Sequence, residues 1–371
     1  MDRETFNNCC SLVKMPRQIH QQHCSSHFIQ YIEREIAYSK FIKNYLIPNQ
    51  PCMFSKKFTE DWNCRKKWVT ADGKPNLQRL LQEFDETPVP VANCSAKEYN
   101  SNPKQIMPFK EFIQYWREYI QNGHSSPKGC LYLKDWHMQR NFPEHNSYKT
   151  PIYFSSDWLN EYWDTIEVDD YRFVYMGPKG SWYCVIYLSY TVVRKLIMFT
   201  AEWCQCHRGR ISQKMSGSYL EDTISINHNW LNGCNLDIMW QFLQEELSSV
   251  QREIEEWRDT MDSWHQHCQV IMKSCTGIDY GEFASFLKTI ANNRMSFLNS
   301  CPRNADNCQD HLAESLFALG PQHAAFDLQR VLHIFESMLG NEDFKRLDPS
   351  TLTFKPEELL QEIREAVRTI V

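Results

Sequence analysis

The chain has 371 residues, 23% of them charged and 42% hydrophobic, with a formal net charge of −6. This suits a globular protein of one large domain or two ordinary ones, and the negative balance argues against a general nucleic-acid-binding surface. Arg65-Lys66-Lys67 remains as a small basic patch. The longest apolar stretch, 183–200, is interrupted by Arg194 and Lys195, which argues against a membrane span. Residues 1–14 have no apolar signal core. The 15 scattered cysteines, an odd number, point to reduced thiols in a reducing compartment, taken as the cytoplasm.

Residues 1–30 read as an N-terminal extension, poorly ordered or a short helix. If helical, His20, His23, Cys24 and His27 share one face; a metal or an ordinary polar surface explains that spacing. Apolar spacing at Phe28, Tyr31, Ile32, Ile36, Phe41 and Tyr45 predicts a helix and then a turn over 28–46. The stretch 46–54 carries Pro48 and Pro51, so it predicts an edge or entry strand. Helices follow at 76–84 (Leu77, Leu80, Leu81, Phe84) and 107–121 (Phe109, Phe112, Ile113, Trp116, Ile120), with strands at 88–92 and 131–137.

The stretch 171–182 predicts a strand entering a Gly177-Pro178 turn. In 222–230, Thr223, Ser225 and Asn227 alternate with Ile224, Ile226 and His228, which predicts a strand with one polar face. Beyond it the spacing predicts one continuous helix over 236–275, stopped by Gly277, and another over 278–298. A polar linker spans 299–310, and helices at 312–319, 323–339 and 356–371 finish the chain, the last with Pro356 in its first turn. His265 and His267, at i and i+2, point to different faces and make a poor ligand pair.

This order of elements, carried by 41–51, 132–137, 171–182 and 223–230, resembles the small jumonji-C (JmjC) hydroxylases. The resemblance runs over about 32–182 and 220–299. It implies an α+β fold: an incomplete double-stranded β-helix, JmjC and cupin-like, followed by a C-terminal helical region. The implied units are an extension at 1–30, the β domain at 31–230 disrupted at 183–219, a helical hairpin at 231–298, and C-terminal helices at 299–371. It also implies Fe(II) and 2-oxoglutarate as the family's cofactors and lysyl hydroxylation of a translation termination (release) factor as its activity. Neither direct nucleic-acid binding nor membrane attachment is implied.

A non-haem Fe(II) oxygenase holds its metal with two His and one carboxylate. In the family a His-x-Asp pair follows the Gly-Pro turn by one strand, and a second His precedes the last barrel strand. Counting from the flanks, those positions hold Ile186, Leu188 and Met215, none of which offers iron a nitrogen or oxygen ligand. None of the 13 His is followed two residues later by Asp or Glu, so a register shift does not restore the motif. The residues therefore predict no catalytic triad and no bound cofactor in this chain.

Length points the same way. Six further barrel strands need on the order of 60 residues, and 183–219 supplies 37. The simplest origin is a substituted segment: an alternative exon, a retained intron or a gene-model error.

Tyr132 and Asn227 fall where the resemblance implies contacts to 2-oxoglutarate, and Lys195 resembles the family's basic partner for its carboxylate. Their plainer roles are a core aromatic, a strand residue and a surface lysine. Cys204-x-Cys206-His207 could start a zinc site but lacks a second pair, and a backbone carbonyl is the expected partner of His228. Two classes of function are open at this point: an oxygenase, and a catalytically silent interaction protein.

Overall fold

A computed structural model of the chain describes residues 6–7, 9–10, 30–50, 52–98, 102–166, 170–184, 194–199, 216–218, 221–300, 316 and 318–370. Two short strands, β1 (Gln30–Ile32) and β2 (Cys52–Phe54), pair in parallel. The main sheet is built from β3 (Pro88–Asn93), β4 (Lys104–Pro108), β5 (Leu131–Trp136), β6 (Arg172–Gly177), β8 (Arg194–Phe199) and β10 (Thr223–Trp230). Its order is β4-β3-β5-β6-β10-β8, every neighbour antiparallel. A separate antiparallel ladder joins β7 (Trp182–Cys184) to β9 (Ser216–Ser218). Proline cannot donate to a ladder, and β3 carries Pro88 and Pro90. The sheet accommodates them because β5 pairs only with Val91, Ala92 and Asn93.

Alternation along the strands sets the two faces. Val91, Leu133, Val174, Met176, Ile224 and Ile226 turn to one side and are buried against α1 (Leu77–Phe84) and α2 (Phe109–Gln121). Asn76 caps α1, its side chain accepting the Arg79 N–H at 3.1 Å. Fully buried Trp68, Phe84, Phe109, Phe112 and Trp116 fill the space between helices and sheet. A second core joins α3 (Trp158–Thr165) to α4 (Leu236–Glu253), α5 (Trp264–Thr276), α6 (Tyr280–Ser300), α7 (Pro321–Gly340) and α8 (Pro356–Ile370).

That second core encloses charge. Arg294 of α6 donates to Glu161 of α3 (2.7 and 3.0 Å) and to Asp327 of α7 (2.7 Å), all three side chains buried. Burial pushes the Asp327 carboxyl up, but His323 and Arg294 outweigh that and hold it below the usual carboxylate range. His323 Nε2 lies 2.9 Å from the Tyr38 hydroxyl, so the cluster reaches the N-terminal segment as well.

Several elements differ from the sequence reading, each for a physical reason. The stretch 28–46 is not one helix: β1 comes first, and helix forms only at Tyr38–Phe41, continuing as a wider π-turn at Ile42–Leu46. Strand β4 was unforeseen; it is a sheet edge, with Ile106 68% exposed, so it lacks the buried alternation that marks inner strands. The continuous helix expected over 236–275 breaks between α4 and α5. Ser263 takes a left-handed φ of 56°, and Trp264 Nε1 donates to the Ile254 carbonyl at 3.0 Å, closing a hairpin.

Ser216–Ser218 forms strand β9 although 201–218 has little strand character. The extension is tied down in part: Phe6 and Cys9 are buried beside Trp230 and Phe326. The linker 301–315 lies outside the described residues.

Candidate functional site

The second face of the sheet is polar, and it carries the residues singled out from sequence. Ladder partners point to the same side. Tyr132 thus shares a face with Tyr175 and Gly177, and these with Phe173, Thr223, Ser225 and Asn227. Thr223, Ser225 and Asn227 are buried. Tyr132 stacks on Tyr175, ring centroids 5.9 Å apart and 11° from parallel. The Tyr175 hydroxyl donates to Asp135 Oδ1 at 2.9 Å, and Lys104 Nζ pairs with the other oxygen of the same carboxylate. Burial pushes the Asp135 carboxyl up, but Lys104, Lys134 and Tyr175 together hold it below its ordinary range. Asp135 has a φ of 62° at the bulge where β5 and β6 slip register.

Asn227 sits further along the strip, opposite Phe173 on one side and Ile197 on the other. Its Nδ2 donates weakly to Asn229 Oδ1 at 3.4 Å, and its buried Oδ1 has no partner among the described residues. Asn227 and Tyr132 lie on one face, yet the structure does not bring them together: Tyr132 aligns near Gly177, four positions along β6 from Phe173. Lys195 stands opposite Asn229 in the β8 ladder; its side chain lies outside the described residues.

The turn at the head of the strip is built around Gly177. A Cβ there would meet Tyr132 Cδ2 at 2.6 Å and Ser181 Oγ at 2.7 Å, so only glycine fits. Ser181 Oγ donates to the Pro178 carbonyl at 2.6 Å, and Gly180 takes a φ of 89°. Asp222, just before β10, accepts from the Lys179 backbone N–H and from Trp116 Nε1, each at 3.1 Å. The stretches 171–182 and 222–230 are therefore pinned to each other and to α2.

The other candidates resolve as follows. His228 lies on the opposite face, its Nε2 2.7 Å from the Tyr148 hydroxyl and its Nδ1 3.7 Å from Asp157, so its partner is a phenol and not the expected backbone carbonyl. His267 is exposed and His265 half-buried on the surface of α5. Ile186, Leu188, Met215, Cys204, Cys206, His207, His20, His23, Cys24 and His27 lie outside the described residues. Among the described residues no three His, Cys, Asp or Glu side chains gather closely enough to hold a metal ion. The described part of the polar strip offers amide, hydroxyl and phenol groups, and its carboxylate, Asp135, is engaged by Lys104 and Tyr175. These described groups do not by themselves make up the two-His, one-carboxylate set that Fe(II) takes in such oxygenases.

Tyr175, Asp135, Lys104 and Asp222 were not foreseen. Period-two alternation in β6 puts Tyr175 on the side of Tyr132, a usable signal. The Lys104–Asp135 pair has none, since it depends on an unpredicted strand and a bulge.

No described helix is long and apolar enough to cross a membrane. No family model matches the chain. Individual relatives do. A Danio rerio protein named 2-oxoglutarate and iron-dependent oxygenase JMJD4 is 75% identical over 422 positions, covering all of both chains. A Gallus gallus protein of the same name is 47% identical over all of this chain and 99% of its own. An Arabidopsis thaliana protein named arginine-specific demethylase JMJ20 is 31% identical over 76% of this chain and 75% of its own. With 371 residues set against 422 positions, at least 51 positions of the first alignment have no residue from this chain. Identity of this degree over full length settles the family: the chain belongs to the JmjC 2-oxoglutarate and iron-dependent oxygenases.

Proposed function

We propose that this chain is a form of a JmjC protein (lysyl) hydroxylase that has lost its iron triad and acts as a non-catalytic interaction protein. The observation that carries the reading is in the residues: Ile186, Leu188 and Met215 stand at the ligand positions, and no His-x-Asp or His-x-Glu occurs anywhere in the chain. In the family, iron with 2-oxoglutarate supplies the oxidation of a substrate C–H bond; here the polar strip keeps its frame without a donor set for that metal.

Two further observations support a shortened barrel. Strand β6 pairs with β10, and β7 with β9, so the outermost wrap of a double-stranded β-helix is nested as it would be in a whole one. The 51 or more unfilled alignment positions show that this chain is shorter than that relative, in keeping with a shortened segment. On this reading the fold is an incomplete double-stranded β-helix, and the chain is the product of a substituted segment such as an alternative exon. The partner is a translation release factor, engaged without turnover in the cytoplasm.

The test is metal content and 2-oxoglutarate turnover of the purified full chain after anaerobic exposure to Fe(II), beside the Danio rerio relative. We expect substoichiometric iron and no succinate above background. Stoichiometric iron with coupled turnover would sink the silent reading. Capture of the release factor by the folded chain is expected; its failure where the relative succeeds removes the partner assignment.

A further inference from the structure

Cys94 and Cys130 are thiols that the proposed function does not use. Cys94 follows β3 directly and Cys130 precedes β5, and the register Asn93↔Leu131 makes them the next cross-strand pair. The Cys94 N–H donates to the Cys130 carbonyl at 2.8 Å. In such a hydrogen-bonded pair the Cα atoms lie roughly 5.5 Å apart, at the centre of the range a disulfide spans. The Cys130 N–H goes instead to Ser95 Oγ at 2.9 Å, so this is the last rung and the two strands can adjust around it. The neighbouring Cys94 thiol and burial push the Cys130 thiol up, while the Tyr119 hydroxyl pulls it down.

The surroundings hold both strand ends in place. Asn93 Nδ2 donates to the Lys128 carbonyl at 3.1 Å. The Tyr115 hydroxyl accepts from the Leu131 N–H at 2.9 Å and donates to the Gly129 carbonyl at 2.8 Å. Gly129 has a φ of 79°, and a Cβ there would meet Asn93 and Ser95 at 2.9 Å, which fixes how closely the two strand ends approach. Cys94 is half-buried and packs against Tyr132 and Tyr175; Cys130 is buried.

We propose that Cys94 and Cys130 are a modification site, a thiol pair that a peroxide converts reversibly to a cross-strand disulfide beside Tyr132. The balance is two thiols and one hydrogen peroxide giving one disulfide and two water molecules. The more accessible Cys94 sulfur attacks a peroxide oxygen, forming a sulfenic acid and releasing the first water. The Cys130 sulfur then displaces the second and loses its proton. Cys130 is the buried member of the pair and Cys94 the half-buried one, so a peroxide reaches Cys94 first and Cys130 takes the resolving role. Closure joins the ends of the excursion 95–129, which carries β4 and α2, directly to β5.

The test uses the full chain with graded hydrogen peroxide, followed by denaturing alkylation and peptide mapping. The expected result is a Cys94–Cys130 cross-linked peptide that disappears on treatment with dithiothreitol and is absent in Cys94→Ser. The exposed Cys275 is the internal standard. If Cys275 is consumed while Cys94 and Cys130 both remain alkylatable, the proposal is overturned. It is equally overturned if Cys94 is oxidised but Cys130 is not its partner. The mapping is done on the unsubstituted chain, so its outcome does not depend on the variant folding.

Discussion

The two faces of the main sheet are built from the same strands and are held by different physics. The face under α1 and α2 is secured chiefly by burial: Trp116, Phe112, Ile224 and Ile226 are almost wholly removed from water. The face with Tyr132 and Asn227 is secured by a Tyr–Tyr stack, one bulge carboxylate and close approach at one glycine. The first makes the fold and is indifferent to chemistry. The second carries the polar groups, which depend on specific partners and not on area alone. His228 shows how strict the division is: one residue from Asn227, it points to the apolar side and bonds Tyr148.

The sharpest way to break this contrast is Phe112→Ala on the apolar side. We expect a loss of about 3–5 kcal/mol in urea unfolding; a loss near that of a surface change would mean burial is not what fixes the sheet. Next is Gly177→Ala, where the new methyl meets Tyr132 and Ser181. Overpacking of this kind costs about 1–3 kcal/mol, and near-ultraviolet circular dichroism should report the displaced Tyr132–Tyr175 stack. An unchanged spectrum would show that the close approach is not what positions the ring.

The smallest effect concerns pH. The Asp135 carboxyl titrates below its ordinary value in the folded chain. Its contribution is therefore present above about pH 3.9 and lost as pH falls through the lower folded value. Asp135→Asn should remove that part of the acid dependence, by about 0.2–1 kcal/mol for a partly exposed pair. Melting curves between pH 3 and 7 that superimpose for both proteins would contradict the assignment.

Much of the frame was legible in the residues because burial writes a period. Alternation in 223–230 gave both the strand and its polar face, and the spacing in 107–121 gave α2. Edge strand β4 was not legible, since an exposed edge has no alternation to display. The break at 254–263 was hidden for the opposite reason: apolar spacing continues across it, and only the left-handed Ser263 and the Trp264–Ile254 bond interrupt the helix. The shared face of Tyr132 and Asn227 follows from strand alternation and ladder register, while the Lys104–Asp135 pair arises from tertiary placement that no local pattern encodes.

Gly177 and Thr223 are partners on one rung of the β6–β10 ladder, so the chain between them, which returns to the sheet as β8, starts and ends at the same level. A stretch attached in this way is a cassette. Its closure cost grows with the logarithm of its length, about 0.6 kcal/mol for each doubling, while the rung that receives it stays the same. Lengthening or shortening this stretch would therefore change the closure entropy little, while any change that removed β8 would also remove its ladder with β10.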